Sequence, residues 1–270
     1  MNVNKALWEK GDFTKIAAAM RDSGEELVES LGIRRGMDVL DLGCGDGTTA
    51  LPAAQRGARV LGVDIAENLV AAGNARATAA SLDNLRFQQG DASDLRDLGD
   101  ESFDLVVSIF GAMFAPRPFD VASEMVRVTR SGGRVVMGNW IPGDPTLIAQ
   151  VLKISGTYTP PPPEGFISPV TWGVEDNVRE RFGAAGVPPE TIALERATYV
   201  FRHAGPPSEL LQTFKRYYGP TMNAFEAATK DGRAEQLEIE LTRLFEEHNR
   251  AGAERTEIPA TFLKVMVTKP

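Results

Sequence analysis

The chain has 270 residues, 43% of them hydrophobic and 24% charged, which is enough for one or two domains with a self-standing core. Lys plus Arg number 29 and Asp plus Glu 37, and the resulting net charge of −8 argues against nucleic acid as a partner, because such surfaces need a basic excess. One cysteine and two histidines exclude an intramolecular disulfide and are too few for a Cys/His zinc site, so no metal is expected.

At the N-terminus, charges interrupt every apolar stretch, so neither a secretory leader nor a membrane span is expected, and the single cysteine suits a reducing, cytoplasmic setting. Residues 1–31 carry helical spacing through Leu7, Ile16, Met20, Leu27 and Leu31, with Gly11 dividing them. From Asp38 the pattern changes. Apolar runs at 39–42, 60–63, 85–88, 105–109 and 134–139 alternate with helical segments at 48–56, 67–80 and 119–128. This alternation predicts an α/β fold, a parallel sheet with helices on both faces, because parallel strands need crossover connections.

Beyond Trp140, helices are expected at 146–155 and 175–185, with the proline run 160–163 between them as a stiff extended loop or a partner's polyproline ligand. Runs at 198–203 and 260–268 read as two more strands. The helix formers between them, 207–230 and 233–252, suggest a helical cap over the carboxyl edge of the sheet.

The segment from Val39 to Thr48 is a buried strand entering a turn with glycines at 43, 45 and 47. Glycine permits positive φ and lets a ligand approach the backbone. The dinucleotide pattern is not met, because Thr48 stands where its third glycine belongs, and no Gly-Lys-Ser/Thr of a P-loop follows. Two further acids accompany the turn. Asp64 ends the second strand and Asp91 follows the third, placing carboxylates in successive loops at the edge where open α/β sheets bind ligands. Each also suits a helix cap or turn.

Taken in order, Asp41-Leu-Gly-Cys-Gly-Asp-Gly47, Asp64-Ile65, Gly90-Asp91-Ala92 and Phe103-Asp-Leu-Val-Val-Ser108 resemble the class I S-adenosylmethionine-dependent methyltransferases, strongly over residues 35–140. The nearest branch is the small-molecule enzymes that include the ubiquinone/menaquinone C-methyltransferases. The resemblance implies a Rossmann-like, seven-stranded, mostly parallel sheet with its last strand antiparallel, and S-adenosylmethionine as cofactor. It also implies one domain over 1–270, with a cofactor core at 32–140 and lid segments at 1–31, 141–172 and 204–255. Gly43 and Gly45 would face the methionine moiety, and Asp64 would hold the ribose. Ile65 would lie on the adenine face, with Asp91 and the Ala92 amide at the adenine edge. Ser108 and Ile109 would offer main-chain oxygens to the amino group, and Asp41 would order the glycine turn.

Methyl transfer needs donor and acceptor held in line in a dry pocket rather than a fixed catalytic side chain. The expected acceptor is a small hydrophobic or aromatic molecule. Phe110, Met113, Phe114 and Trp140 leave the fourth and fifth strands near it, while Phe13, Trp172 and Tyr217 come from the lid. His203, ending the sixth strand, is the candidate general base. Cys44 has no local histidine or basic neighbour and reads as a packing residue. Other readings are a nucleic-acid or protein methyltransferase, and a cofactor-binding regulator without catalysis. A homodimer through the cap or the N-terminal helices is left open, since the sequence carries no interface signature.

Overall fold

The apolar runs become seven strands: β1 (Asp38–Leu42), β2 (Arg59–Asp64), β3 (Leu85–Gln89), β4 (Phe103–Ile109), β5 (Thr129–Trp140), β6 (Ile192–His203) and β7 (Thr256–Thr268). The computed structural model describes residues 3–270, so residues 1 and 2 of the expected N-terminal lid lie outside the described residues. One sheet runs in the order β3-β2-β1-β4-β5-β7-β6. β1 to β5 pair in parallel, while β7 is antiparallel to both β5 and β6, giving the expected Rossmann-like sheet.

Between the strands lie α1 (Val3–Glu9), α2 (Phe13–Ala18), α3 (Arg21–Ser30), α4 (Ala50–Gln55), α5 (Glu67–Ala79), α6 (Pro118–Val128), α7 (Leu147–Tyr158), α8 (Glu175–Ala184), α9 (Pro207–Tyr217), α10 (Gly219–Lys230) and α11 (Ala234–His248). Adjacent strand residues feed different cores. Val39, Val60, Leu105, Val107 and Val136 pack with Val28, Ala50 and Ala53, while Leu40, Leu42, Leu61, Val106 and Met137 pack with Met125, Phe182 and Leu210. Burial on both faces explains why the strands read as continuous apolar runs.

The run of helix formers over 207–230 folds as two helices, because Tyr218 is extended (ψ 108°) and Pro220, which has no amide hydrogen to donate, stands in the first turn of α10. Two strand starts are corrected. β6 starts at Ile192 rather than 198, its first half masked by the polar, partly exposed Glu195 and Arg196 of an edge strand. β7 starts at Thr256 rather than 260, the signal interrupted by Pro259, which nevertheless sits in register opposite Val200.

The N-terminal helices close over the carboxyl edge of the sheet by backbone contact. A Cβ at Gly11 would stand 2.3 Å from the Tyr217 carbonyl oxygen, and one at Gly219 would stand 2.7 Å from that of Leu7. Lys10 adds hydrogen bonds to Asn223 and Glu226 of α10, and Glu9 accepts the Glu67 amide at the start of α5. Among the described residues no helix is long and apolar enough to cross a membrane.

Candidate active site

The loops that follow β1, β2, β3 and β4 converge on a cavity with about 880 Å³ of empty space, including its open mouth. It lies beside the point where strand order reverses between β1 and β4, where open α/β sheets bind ligands. The floor is made by two touching turns. Gly43 has φ +67°, and a Cβ on Gly111 would fall 2.1 Å from the Gly43 oxygen, so neither position admits a side chain. Gly45 has φ +54°, and a Cβ there would meet only Phe13, at 3.8 Å, which leaves this backbone open to the cavity.

Carboxylates occupy the wall beside these turns. Asp64 Oδ2 accepts the Gly45 amide at 2.8 Å and Oδ1 accepts the Ala66 amide at 2.9 Å, so the second strand fixes the glycine turn. Burial raises the Asp64 pKa, and the surrounding amides partly offset that rise. Asp41, 2% exposed, accepts one amide, from Ala50, and its Oδ2 is buried with no partner. Burial pushes its pKa up to about 8. Asp46 pairs with Arg21 of α3 but leaves Oδ1 unpartnered. Asp91 Oδ1 accepts the Ser93 amide and hydroxyl, the cap-like role its sequence also allowed. Among the described residues the cavity is lined by no Lys, Arg or His, and no cluster of His, Cys, Asp and Glu could hold a metal ion.

Of the sequence candidates, Asp41, Gly43, Gly45, Asp64, Ile65, Asp91, Ala92, Ile109, Phe13 and Phe110 line this cavity. The others are placed elsewhere. The Ser108 hydroxyl donates to the Leu42 carbonyl and accepts the Ala112 amide, joining β4 to β1 outside the lining. Met113 is buried in the core, and Phe114 supports Trp8 edge-on at 4.9 Å. Trp140 stacks on Phe110 from behind, with centroids 3.6 Å apart and planes 9° apart. Trp172 is buried against Phe182, with the Arg181 guanidinium over its ring. Tyr217 faces a separate surface groove with Gln212 and Arg216. His203 lies outside the lining, 3.2 Å from Glu209.

Phe110 is the one non-glycine residue with positive φ (62°) beside the cavity, a conformation held by the Gly43–Gly111 contact and the Trp140 stack. The lining also includes Tyr199, Met20, Asp46, Thr48, Thr49, Leu69 and Ala115, which were not singled out from sequence. Tyr199 donates to the Met20 carbonyl at 3.0 Å and presents its edge to Phe110. It sits on the edge strand, far along the chain from the glycine turn, so only tertiary structure brings it here. Asp46 stands inside the turn itself, where an acid between two glycines was a readable signal. Cys44 also lines the cavity, although burial and the adjacent carboxylates push its thiol pKa well up and leave it a packing residue.

Residues 40–137 match the model of a methyltransferase domain. An uncharacterised protein of Mycobacterium tuberculosis is 35% identical over 247 residues, 91% of this chain and 88% of that protein. Nocamycin O-methyltransferase of Saccharothrix syringae is 34% identical over 125 residues, 45% of this chain and 44% of that enzyme. In fold, phosphoethanolamine N-methyltransferase 2 of Haemonchus contortus, solved with S-adenosylhomocysteine, superposes with a TM-score of 0.61 at 15% identity, covering 99% of this chain and 60% of that one. Fold and domain match define a methyl-transferring enzyme. The chain belongs to the class I S-adenosylmethionine-dependent methyltransferases, and its full-length relatives include the mycobacterial protein.

Proposed function

We propose that this cavity holds S-adenosylmethionine and delivers its methyl group to a small, uncharged, apolar acceptor. One observation carries the reading. The polar side of the cavity is acidic and has no basic side chain among the described residues, and a buried Asp41 oxygen on it lacks a partner. Such a wall fits a ligand that brings hydroxyl donors and positive charge, because an unpaired buried acceptor is costly until a donor or cation meets it.

The bound cofactor supplies an electrophilic methyl on a sulfonium. In this reading Asp64 accepts the ribose hydroxyls, Ile65 lies against the adenine, and Asp91 with the Ala92 amide meets the adenine edge. The open backbone at Gly43 and Gly45 follows the methionine portion, and the Ile109 carbonyl receives its ammonium. The acceptor lies against Trp8, Phe13, Met20, Phe110, Ala115 and Tyr199, all of which line the cavity. These side chains exclude water and hold the acceptor for in-line attack, which is where most of the rate gain of such a reaction arises. We assign no proton transfer to His203. We also propose that residues up to 31, 141–172 and 204–255 act as lid segments, and that the enzyme works in the reducing cytoplasm, where the buried Cys44 remains a thiol. A ring-bearing acceptor like those of the ubiquinone/menaquinone enzymes fits these aromatic walls.

The test is a transfer assay with labelled methyl donor on matched pairs of apolar acceptors, one member neutral and the other carrying a carboxylate or phosphate. Label is expected in the neutral member at least about tenfold faster, because an anion would be desolvated beside carboxylates with no cation to offset it. Preferential labelling of the anionic member contradicts the reading.

A further inference from the structure

Besides Asp91, whose Oδ1 accepts the Ser93 amide and hydroxyl, the cavity wall holds three carboxylates with unequal support. Asp64 has amide donors on both oxygens. Asp46 has a guanidinium, from Arg21, and a second cation, Arg76, 3.6 Å away. Asp41 has one amide, one unpartnered oxygen and no cation, although it is 2% exposed and lines the cavity with the other two acids.

The groups that face Asp41 do not help it ionise. Asp64 comes from β2, and Cys44 and Asp46 come from the turn. Tyr199 comes from β6, its hydroxyl already donated to Met20. α4 contributes only the Ala50 amide, and β4 opposes Asp41 with Val107. Arg21 and Arg76 are engaged by Asp46 rather than by Asp41. Two acids sharing a low-dielectric site without a cation do not both ionise readily.

Resting on the proposed binding of S-adenosylmethionine, we propose that Asp41 is a proton-exchanging residue: it is a neutral carboxylic acid in the empty cavity and gives up its proton as the cationic cofactor enters. The O–H bond of the Asp41 carboxyl breaks, the proton passes to solvent, and the cofactor's positive charge takes its place beside the carboxylate. Burial holds the empty-state pKa near 8, and a cation in the cavity lowers it. Binding therefore releases a proton in the interval between the two values, and affinity rises with pH through that interval. This makes Asp41 a residue that sets how the site discriminates ligands by charge, beyond its hydrogen bond from the Ala50 amide at the start of α4.

The experiment is calorimetric titration of the protein with S-adenosylmethionine at pH 7 in two buffers of different ionisation enthalpy, repeated from pH 6 to 7.5. The wild type is expected to release close to one proton per site, with affinity rising by up to about tenfold per pH unit. The ligand's own amino group, with a pKa of about 8, gives uptake rather than release and so has the opposite sign. Asp41→Asn should bind with no proton release and a flat pH profile. Should that variant fail to fold, loss of the protonated-carboxyl infrared band when wild type is saturated reads the same event. Equal heats in both buffers, or release that persists in Asp41→Asn, overturns the inference while leaving the binding site in place. Absence of binding at millimolar cofactor instead overturns the proposed function.

Discussion

Asp64 shows how one side chain can serve structure and ligand together. Its two oxygens accept the Gly45 and Ala66 amides, so the carboxylate locks the glycine turn into position before any ligand arrives. Replacing it with asparagine keeps the shape but removes the charge and one acceptor. Hydrogen bonds to charged groups contribute about 1.5–3 kcal/mol each, so Asp64→Asn is expected to weaken S-adenosylmethionine binding by about 10- to 100-fold. An unchanged dissociation constant by calorimetry would contradict its role. At this scale the sequence was informative where chemistry is local. Asp41, Asp64 and Asp91 and the glycines announced themselves by residue type and position. Tyr199 did not, because a tyrosine in an edge strand carries no mark of the distant helix turn to which its hydroxyl donates. Trp140 and Trp172 misled for the converse reason: aromatic residues at a strand exit or in a lid serve the core as readily as a pocket, and here Trp140 is buried against Phe110 and Trp172 against Phe182.

The elements over the cavity mouth depend on close backbone approach more than on ion pairs. The Lys10 link to Glu226 is short, at 2.7 Å, yet both side chains are partly or largely exposed, and such pairs contribute about 0–1 kcal/mol. The Gly11 contact leaves no room, since a methyl there would penetrate to 2.3 Å of the Tyr217 oxygen. Two variants separate these effects. Lys10→Ala should leave cofactor affinity within about twofold of wild type. Gly11→Ala should raise the dissociation constant several-fold by displacing Trp8 and Phe13, with little change in the thermal midpoint of the core. Equal behaviour of the two would mean that the N-terminal helices do not cover the ligand. Helix and strand identities were legible from periodicity and apolar runs over most of the chain, although the break between α2 and α3 at residues 19–20 was not. Their boundaries failed at Tyr218 and at the starts of β6 and β7, where a proline or a half-exposed edge interrupts the hydrophobic signal.

Across the whole molecule, the order β3-β2-β1-β4-β5-β7-β6 places the reversal of strand order between β1 and β4 beside Asp41 and brings four loops to one cavity. The parallel half of that order follows from alternating strands and helices with right-handed crossovers. The insertion of β7 between β5 and β6 does not, because it depends on pairing between strands separated by the helices of the lid. The net charge of −8 also acquires a location, since part of the acidic excess lines a cavity with no basic side chain among its described residues. The most direct measurement is difference density from crystals grown with S-adenosylhomocysteine. The ribose hydroxyls should lie within hydrogen-bond distance of Asp64, with the adenine between Ile65 and Asp91 and the amino-acid portion along Gly43 and Gly45. Density for the ligand elsewhere, with this cavity left empty, would contradict the assignment of the site.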